Sequence, residues 1–328
     1  MKIAVFSTHH YDQEFLSMYN TGHELTFLDV PLNEKTAALT TGYDAVCVFV
    51  NDIINAAVLT VMHKNGLKLI VLRCAGFNNI DLKTASALNI KVLRVPAYSP
   101  EAVAEHAIAL ILTLNRKTHK AYNRIREGNF SLEKLMGFNL HNRKVAVIGT
   151  GNIGKAICHI LKGFGCRISA YDPYPDQLLA ASGVTYGSLA DTLAGADIVT
   201  LHCPLTEDTR HMINAKMLTL FKMGAMLINT SRGALIDTSA VIDALKTGQL
   251  GYLGLDVYEQ EGDLFFHDYS EDIIPDDLIT RLISFPNVLI TSHQGFFTKE
   301  AMEQIATISF ANVDSFLHGE KLINQVPA

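Results

Sequence analysis

The stretch KVAVIGTGNIG, residues 144–154, decides how the fold of this chain is interpreted. An apolar run typical of a buried strand leads directly into the pattern G-x-G-x-x-G, and helix-forming residues follow from Lys155. Glycines at these positions permit a tight turn, a close approach of the backbone to a pyrophosphate and close packing of helix on strand. Residues 149–155 also match most of a P-loop, but Ala156 lacks the hydroxyl that would bind magnesium. The stretch therefore predicts a dinucleotide-binding unit.

An acidic residue after the next predicted strand indicates which dinucleotide would bind. Asp172 follows the predicted strand 167–171 and lies 18 residues after Gly154. A carboxylate at this point can accept hydrogen bonds from the adenosine ribose hydroxyls, and it repels a 2′-phosphate. The predicted cofactor is therefore NAD and not NADP.

Short apolar segments alternate with helix-length segments on both sides of the motif, which is typical of parallel sheets covered by helices. The predicted strands are 2–7, 24–28, 45–49, 69–72 and 91–94 in a first series, and 144–148, 167–171, 197–201, 225–229, 251–255 and 287–291 in a second. One long helix over 99–126 is expected between the two series, and a last helix over 298–318. At 328 residues, the chain is expected to form two α/β domains.

Composition and charge exclude several classes of partner. Lys and Arg number 27 against 33 Asp and Glu, and the net charge of −6 has the wrong sign for a nucleic-acid-binding surface. No apolar run is long enough to predict a membrane span. Five cysteines without a C-x-x-C pair predict neither a disulfide framework nor a zinc ribbon, so no metal site is expected. We expect a cytoplasmic protein with a small-molecule partner, and neither a nucleic acid nor a membrane as partner.

Polar loops follow four strands of the second predicted sheet. Because ligands of open α/β sheets bind at the carboxyl ends of the strands, these loops are candidates for a common site. They are His202-Cys-Pro204, Thr230-Ser-Arg-Gly233, Asp256-Val-Tyr-Glu-Gln-Glu261 and His293-Gln-Gly-Phe296.

Three of these loops bring together the residue types that reduce a 2-keto acid beside a nicotinamide. The guanidinium of Arg232 can hold a carboxylate with two parallel hydrogen bonds and polarise the neighbouring carbonyl. His293 is the natural proton donor, because histidine titrates near neutral pH. Glu261 would orient the imidazole ring and favour its protonated form. These three residues are therefore the predicted catalytic set.

The order of the motifs resembles that of the D-2-hydroxyacid dehydrogenases. The resemblance extends over essentially the whole chain and rests on GTGNIG, HCPLT, NTSRG, DVYEQE and SHQGFFT, together with CAGFNN at 74–79 and VPAYSP at 95–100. It implies an α/β architecture of two doubly wound parallel-sheet domains, with the active site in the cleft between them. A flavodoxin-like substrate domain would comprise 1–100 and 298–328, and a Rossmann NAD-binding domain would comprise 101–297. The resemblance also implies a homodimer. The apolar helix from Ser99 is a candidate interface, although burial inside the monomer would explain its apolar residues equally well.

The same resemblance implies roles for individual residues. It supports Arg232, Glu261 and His293 as catalytic. Backbone amides around Ala75 and Gly76 would receive the substrate carboxylate, with Arg232, Tyr98 and Phe296 as further substrate contacts. The residues implied at the NAD site are Gly149, Gly151, Asn152, Ile153, Gly154, Asp172, Cys203, Pro204, Thr209, Thr230, Ser231 and Asp256.

Within the family, the chain is most similar to the fermentative D-lactate dehydrogenases, which reduce pyruvate with NADH. A small pocket closed by Tyr98 and Phe296 would suit the methyl group of pyruvate. Gly295 replaces the usual alanine, which would loosen its loop or slightly enlarge the pocket. Two alternatives stay open: a dehydrogenase for bulkier acids such as 2-ketoisocaproate or phenylpyruvate, and a nucleotide-sensing corepressor on the same fold. His106 is interpreted as a core histidine with satisfied hydrogen bonds.

Overall fold

The computed structural model describes residues 1–265 and 267–327 and divides into two compact units. Unit 1 comprises Met1–Ser99 and Phe297–Ala328, and unit 2 comprises Pro100–Phe296. Each unit contains one parallel sheet flanked by helices. The prediction of an α/β chain with two parallel-sheet domains is confirmed.

Unit 1 is built on a five-stranded parallel sheet. Its strands are β1 (Lys2–Val5), β2 (Glu24–Phe27), β3 (Ala45–Val48), β4 (Leu69–Leu72) and β5 (Lys91–Arg94). Their order β2-β1-β3-β4-β5 is that of flavodoxin-like folds. The helices are α1 (His10–Met18), α2 (Ala56–Lys64), α3 (Leu82–Ala87) and, from the end of the chain, α12 (Lys299–Leu317).

The last helix belongs to the core of unit 1 although it is distant in sequence. Ala306, Phe310 and Val313 of α12 pack with Ile3 of β1 and Leu93 of β5, and all five side chains are buried. The side chain of Thr298 caps the helix by accepting from the amide of Ala301. Burial of one apolar face explains why this segment returns to the first sheet.

Unit 2 is built on a seven-stranded parallel sheet with the order β12-β11-β10-β9-β6-β7-β8. Its strands are β6 (Lys144–Ile148), β7 (Arg167–Tyr171), β8 (Thr185–Tyr186), β9 (Ile198–Leu201), β10 (Ala225–Asn229), β11 (Leu250–Leu255) and β12 (Val288–Ile290). Six of them match the predicted strands, and the expectation of six in total was wrong. The additional strand β8 is two residues long and pairs only through Ser169↔Thr185 and Ala170↔Tyr186, too short to leave an alternating pattern.

Among the described residues, unit 2 contains eight α-helices. They are α4 (Pro100–Arg116), α5 (Thr118–Arg126), α6 (Asn152–Gly163), α7 (Gln177–Ala181), α8 (Leu189–Leu193), α9 (Ala215–Leu218), α10 (Thr238–Thr247) and α11 (Asp277–Ser284). The prediction of one helix over 99–126 was wrong, because Lys117 adopts a left-handed conformation with φ of +51° and separates α4 from α5. Its ammonium group donates to the carbonyls of Lys134 (2.7 Å) and Met136 (3.2 Å), which fixes the break.

The strand order places four of the candidate loops side by side. Strands β12, β11, β10 and β9 are neighbours, and the glycine loop follows β6, which is next to β9. Since all these strands are parallel, their carboxyl ends meet at one edge of the sheet. We call this edge, with the loops that follow the five strands, the loop edge of unit 2.

No helix within 1–265 or 267–327 is long and apolar enough to cross a bilayer. Over the same residues, no group of three or more His, Cys, Asp or Glu side chains could hold a metal ion. All five cysteines are present as free thiols.

Candidate active site

The glycine loop after β6 has space for nothing larger than glycine at two positions. Gly149 has φ of +92°, and a Cβ there would stand 2.7 Å from the amide of Cys203. A Cβ on Gly154 would stand 2.0 Å from the carbonyl oxygen of Gly149. Gly151 is the N-cap of α6, whose first residues are Asn152 and Ile153. The loop and the helix N-terminus together present amides and a positive dipole end, as a pyrophosphate requires.

The acidic residue after β7 is joined to this loop. Oδ2 of Asp172 accepts from the amide of Thr150 at 2.6 Å and from its hydroxyl at 3.1 Å, while Oδ1 accepts from the amide of Tyr174 at 2.8 Å. The hydroxyl of Tyr186 on β8 donates to Thr150 Oγ1 at 3.0 Å. These bonds hold a carboxylate beside the glycine loop, where the ribose hydroxyls of an NAD molecule need an acceptor.

The loop after β9 runs directly beneath the glycine loop. His202 is buried, and burial lowers its pKa to about 3, so the ring stays neutral. Burial likewise raises the pKa of the Cys203 thiol to about 11, which keeps it protonated. Thr209 closes the loop by donating its hydroxyl to the carbonyl of Pro204 at 2.8 Å. These residues can shape a cofactor site by packing and backbone contacts, and they add no charge to it.

One buried hydroxyl supports the fit of NAD to these residues. Oγ1 of Thr230, at the end of β10, is buried and has no hydrogen-bond partner among the described residues. A buried polar atom without a partner is uncommon in a folded protein and indicates a ligand or water. Together with the glycine loop and the carboxylate of Asp172, it gives unit 2 a donor and acceptor set suited to a dinucleotide.

Arg232 lies on the loop edge, in a turn that is held by side-chain hydrogen bonds of Asn229 and Ser231. Asn229, fully buried at the end of β10, donates from its side-chain amide to the carbonyl of Arg232 at 2.8 Å and accepts from the amide of Ser231 at 3.0 Å. The hydroxyl of Ser231 donates to the carbonyl of Leu201 on β9 at 3.0 Å. The guanidinium is half-buried and donates to the carbonyl of Ser231 at 2.6 Å. The backbone that carries this cation is therefore fixed.

Glu261 and His293 are brought together by the loops after β11 and β12. Oε1 of Glu261 lies 2.9 Å from Nδ1 of His293, and Oε2 accepts from the amide of Tyr258 at 2.9 Å. The side chains are only 26% and 17% exposed. A carboxylate can only accept here, so Nδ1 carries a hydrogen and Nε2 is the ring atom that can exchange a proton with a substrate. The arrangement is that of an oriented acid–base histidine.

Asp256, predicted at the NAD site, has a carboxylate that is engaged within its own unit. Its side chain is 2% exposed, with Oδ1 accepting from the amide of Gln294 at 2.9 Å and Oδ2 from that of Gly295 at 2.8 Å. The hydroxyl of Thr291 donates to Oδ1 at 2.5 Å. Burial would raise the pKa of Asp256, but hydrogen bonds from His106 and Thr291 outweigh it and hold the pKa below its usual value. Asp256 is therefore an ionised anchor for the loop after β12.

Gly295 and Phe296 end that loop, and both are buried. A Cβ on Gly295 would stand 2.8 Å from Oδ2 of Asp256 and 3.4 Å from Cδ2 of His106. The missing methyl group therefore makes room for the Asp256 carboxylate. The amide of Gly295 is bonded to that carboxylate, which anchors the loop at the residue where a loosened loop was expected.

The substrate-binding residues predicted in unit 1 lie on two loops after its strands. Ala75 and Gly76 follow β4; the carbonyl of Ala75 accepts from the guanidinium of Arg94 at 2.7 Å, and the thiol of Cys74 donates to the carbonyl of Gly76 at 3.3 Å. Both bonds involve carbonyl oxygens of the loop. They do not use the backbone amides, which are the groups predicted to receive the substrate carboxylate. Tyr98 lies after β5 and is half-buried.

Several residues that support the loop edge were not among the predicted site residues. Asn229 and Gly233 both lie within the NTSRG motif, and this motif could have indicated them. A Cβ on Gly233 would stand 2.0 Å from the carbonyl carbon of Tyr258, so the loops of Arg232 and Glu261 touch through backbone atoms. Thr291 is the last residue of a predicted strand and lies outside the quoted motifs, so no pattern indicated its role.

Comparison with known proteins identifies the family. Residues 108–295, more than half of the chain, match the family described as D-isomer specific 2-hydroxyacid dehydrogenase, NAD binding domain. The chain is 52% identical over 322 residues to 2-hydroxyacid dehydrogenase A of Aspergillus oryzae, covering 97% of this chain and 92% of that protein. It is 50% identical over 328 residues to D-lactate dehydrogenase of Escherichia coli K12, covering 99% and 100%.

A solved structure agrees with these sequence matches. The apo structure of D-lactate dehydrogenase from Escherichia coli aligns with a TM-score of 0.92 at 47% identity, covering all of both chains. The predicted cofactor is confirmed, since the matched family domain binds NAD. This chain belongs to the D-isomer specific 2-hydroxyacid dehydrogenase family.

Proposed function

We propose that this protein is an NAD-dependent D-lactate dehydrogenase that reduces pyruvate to D-lactate. The observation that carries the proposal is the hydrogen bond between Glu261 and His293 at the loop edge of unit 2. It gives an oriented proton donor at the same edge as the glycine loop that cradles NAD. The similarity to D-lactate dehydrogenase of Escherichia coli supports pyruvate as the substrate and the D-configuration of the product.

The proton of the reaction comes from His293. Bound NADH supplies a hydride to the keto carbon of the substrate. Nε2 of His293 donates a proton to the keto oxygen, and the same atom accepts it back in lactate oxidation. Glu261 holds Nδ1 of the ring, which leaves Nε2 as the atom that exchanges the proton. Because Oε2 of Glu261 is itself fixed by the amide of Tyr258, the ring keeps its orientation while its charge changes.

Arg232 and the loop of Ala75 and Gly76 have the complementary role of binding the anionic end of the substrate. The guanidinium is permanently charged, so it can hold the carboxylate and polarise the carbonyl through every step. The amides of Ala75 and Gly76 in unit 1 are proposed as donors to a substrate carboxylate. We propose Tyr98 and Phe296 as the apolar boundary for the methyl group.

A panel of 2-keto acids assayed with NADH and with NADPH, followed by chiral analysis of the product, tests the proposal. We expect the highest kcat/KM with pyruvate and NADH, and D-lactate as the product. A higher kcat/KM with phenylpyruvate or 2-ketoisocaproate would identify a dehydrogenase for bulkier acids. Failure of every 2-keto acid to oxidise NADH would favour a nucleotide-sensing corepressor.

A charge-matched pair of variants tests the role of Arg232. Arg232→Gln should lower kcat and raise the KM for pyruvate while NADH binding stays nearly unchanged. Arg281→Gln removes an exposed cation on α11 and should retain the activity of the wild type. Pyruvate kinetics in Arg232→Gln equal to those of the control would contradict the assignment.

We also propose that the protein is a cytoplasmic homodimer that pairs through residues 118–139. The predicted interface, α4, uses its apolar face inside unit 2, where Ala107, Ile111 and other residues pack into the core. In contrast, α5 has no buried residue, and the loop after it exposes Phe130 (76%), Leu132 (83%) and Met136 (87%). A patch of this kind is typical of a protein–protein contact.

Light scattering coupled to size-exclusion chromatography tests the interface. Leu132→Asp combined with Met136→Asp should convert a dimer into a monomer. Leu178→Asp is the matched control, since Leu178 on α7 is also 83% exposed but lies outside the patch. The interface is wrong if the double variant keeps the mass of a dimer.

A further inference from the structure

His106 reaches the loop edge of unit 2 from helix α4, far from the other residues of the site in sequence. Its Nε2 lies 3.0 Å from Oγ1 of Thr291 and 3.2 Å from Oδ1 of Asp256. The side chain is 14% exposed, and 185 residues separate it from Thr291. Interpreted from sequence as a core histidine, it in fact contacts the carboxylate that anchors the loop of His293.

The hydrogen-bond chain fixes which atom of His106 carries a proton. The hydroxyl of Thr291 has one hydrogen, and its 2.5 Å distance to Oδ1 of Asp256 shows where that hydrogen is donated. Nε2 of His106 therefore faces two acceptors, the hydroxyl oxygen of Thr291 and Oδ1 of Asp256. It must present N–H to them, and the ring acts as a donor to the buried carboxylate.

Asp256 accepts hydrogen bonds from the amides of three consecutive residues, 293–295. Its backbone carbonyl accepts from the amide of His293 at 2.8 Å, and its carboxylate accepts from the amides of Gln294 and Gly295. His293 has φ of +50°, a conformation that costs a residue with a Cβ roughly 1–2 kcal/mol. A strained backbone persists only where its surroundings hold it, and here Asp256 supplies three of the bonds that do so.

We propose that His106 is a positioning residue for proton transfer. Its Nε2–H holds the Asp256 carboxylate in the rotamer that binds the 294 and 295 amides, and the backbone of His293 is fixed as a result. His106 itself has no contact with the reacting atoms in this scheme. The inference rests on the proposed function of His293 as the proton donor, and it adds α4 to the parts of the fold that determine the reaction rate.

Three variants separate positioning from bulk stability. His106→Leu keeps an apolar side chain of similar size and removes the donor, whereas His106→Gln restores an N–H at about the same reach from the helix. Ile108→Val is the control, because Ile108 lies on the same helix, is 6% exposed and packs in the apolar core of unit 2. It tests whether weaker packing of α4 alone slows the reaction.

We expect His106→Leu to lower kcat for pyruvate by tenfold or more with little change in the Kd for NADH, because a misplaced proton donor slows the chemical step. His106→Gln should recover most of the loss. Ile108→Val should lower the unfolding midpoint and keep kcat. A thermodynamic cycle with Asp256→Asn should be non-additive, since both residues act on one loop. Wild-type kcat in His106→Leu, or equally slow Leu and Gln variants, would overturn the inference.

Amide hydrogen exchange provides a readout that does not depend on the substrate. The amides of 293–295 should lose protection in His106→Leu and retain it in His106→Gln and Ile108→Val. Unchanged protection in His106→Leu would refute the positioning role whatever the enzyme reduces. If instead no 2-keto acid is reduced but protection follows this pattern, the proposed function fails and the restraint by His106 is supported.

Discussion

Replacing Gly233 with alanine probes the contact between the loop of Arg232 and the loop of Glu261. A Cβ at this position would stand 2.0 Å from the carbonyl carbon of Tyr258, 2.2 Å from its oxygen and 2.3 Å from the amide nitrogen of Glu259. All three are backbone atoms, so no side-chain rotation can relieve the overlap. The two loops must separate, and the amide of Tyr258 that holds Glu261 must move with them.

The size of the effect follows from the overlap. Ordinary van der Waals contact begins at 3.4 Å, so the shortest distance is 1.4 Å too small. Displacement of a catalytic group by about 1 Å lowers rates by roughly 10²-fold. Forcing a methyl group into a packed site also costs about 1–3 kcal/mol of unfolding free energy. We therefore expect kcat/KM for pyruvate to fall by about 10²-fold, and the urea midpoint to fall as well.

The assay is NADH oxidation under steady-state conditions, combined with urea unfolding at the same pH. Gly262→Ala is the matched control: Gly262 directly follows Glu261, yet a Cβ there meets no atom within 4 Å. That variant should keep both activity and stability. If Gly233→Ala retains kcat/KM within about twofold of the wild type, with an unchanged midpoint, the backbone contact does not fix the geometry of the site.

Three further predictions concern His202, Cys203 and Asp172, which lie beside the glycine loop. Burial lowers the pKa of His202 to about 3, whereas a histidine in the unfolded chain titrates near pH 6.5. Between these two pH values the unfolded chain binds more protons than the folded chain, so the free energy of unfolding decreases as the pH is lowered. The decrease from this residue is about 2 kcal/mol at pH 5. The loss of unfolding free energy from pH 8 to pH 5 should therefore be smaller in His202→Gln, and an equal loss would contradict this. Burial raises the pKa of Cys203 to about 11, so iodoacetamide at pH 7.5 should leave activity intact. Rapid inactivation that Cys203→Ser abolishes would disprove it. Asp172→Ser should raise kcat/KM with NADPH relative to NADH by roughly tenfold, about 1.4 kcal/mol, because a like charge is removed; an unchanged ratio would exclude Asp172 as the selective group.

The fold could be predicted wherever the pattern in the sequence was long enough to be periodic. Buried parallel strands such as β6 appear as continuous apolar runs, and their approximate bounds were correct. The strand β8 was missed because two residues on a sheet edge leave no pattern. The break at Lys117 was missed because nothing local ends the helix: the carbonyls that bind its ammonium group belong to Lys134 and Met136.

The pairing of the predicted catalytic residues could be inferred from the sequence more readily than the contacts that hold them in place. Glu261 and His293 could be paired from the sequence because loops after parallel strands share an edge, and the structure places them 2.9 Å apart. Asn229 and His106 could not be assigned in this way. A buried asparagine or a histidine on an apolar helix has many satisfied arrangements, and only the folded chain shows that their partners are Arg232 and Asp256.

Residues of the loop after β11 restrain His293, the proposed proton donor, although His293 itself lies on a loop. This one segment holds His293 twice: Asp256 fixes its backbone and that of the next two residues, and Glu261 fixes its ring. If only the ring or only the backbone of His293 were held, the position of Nε2 would not be fixed. Because both restraints come from residues within six positions of the end of β11, we expect the position of Nε2 to depend on β11 as well as on β12, the strand that precedes His293.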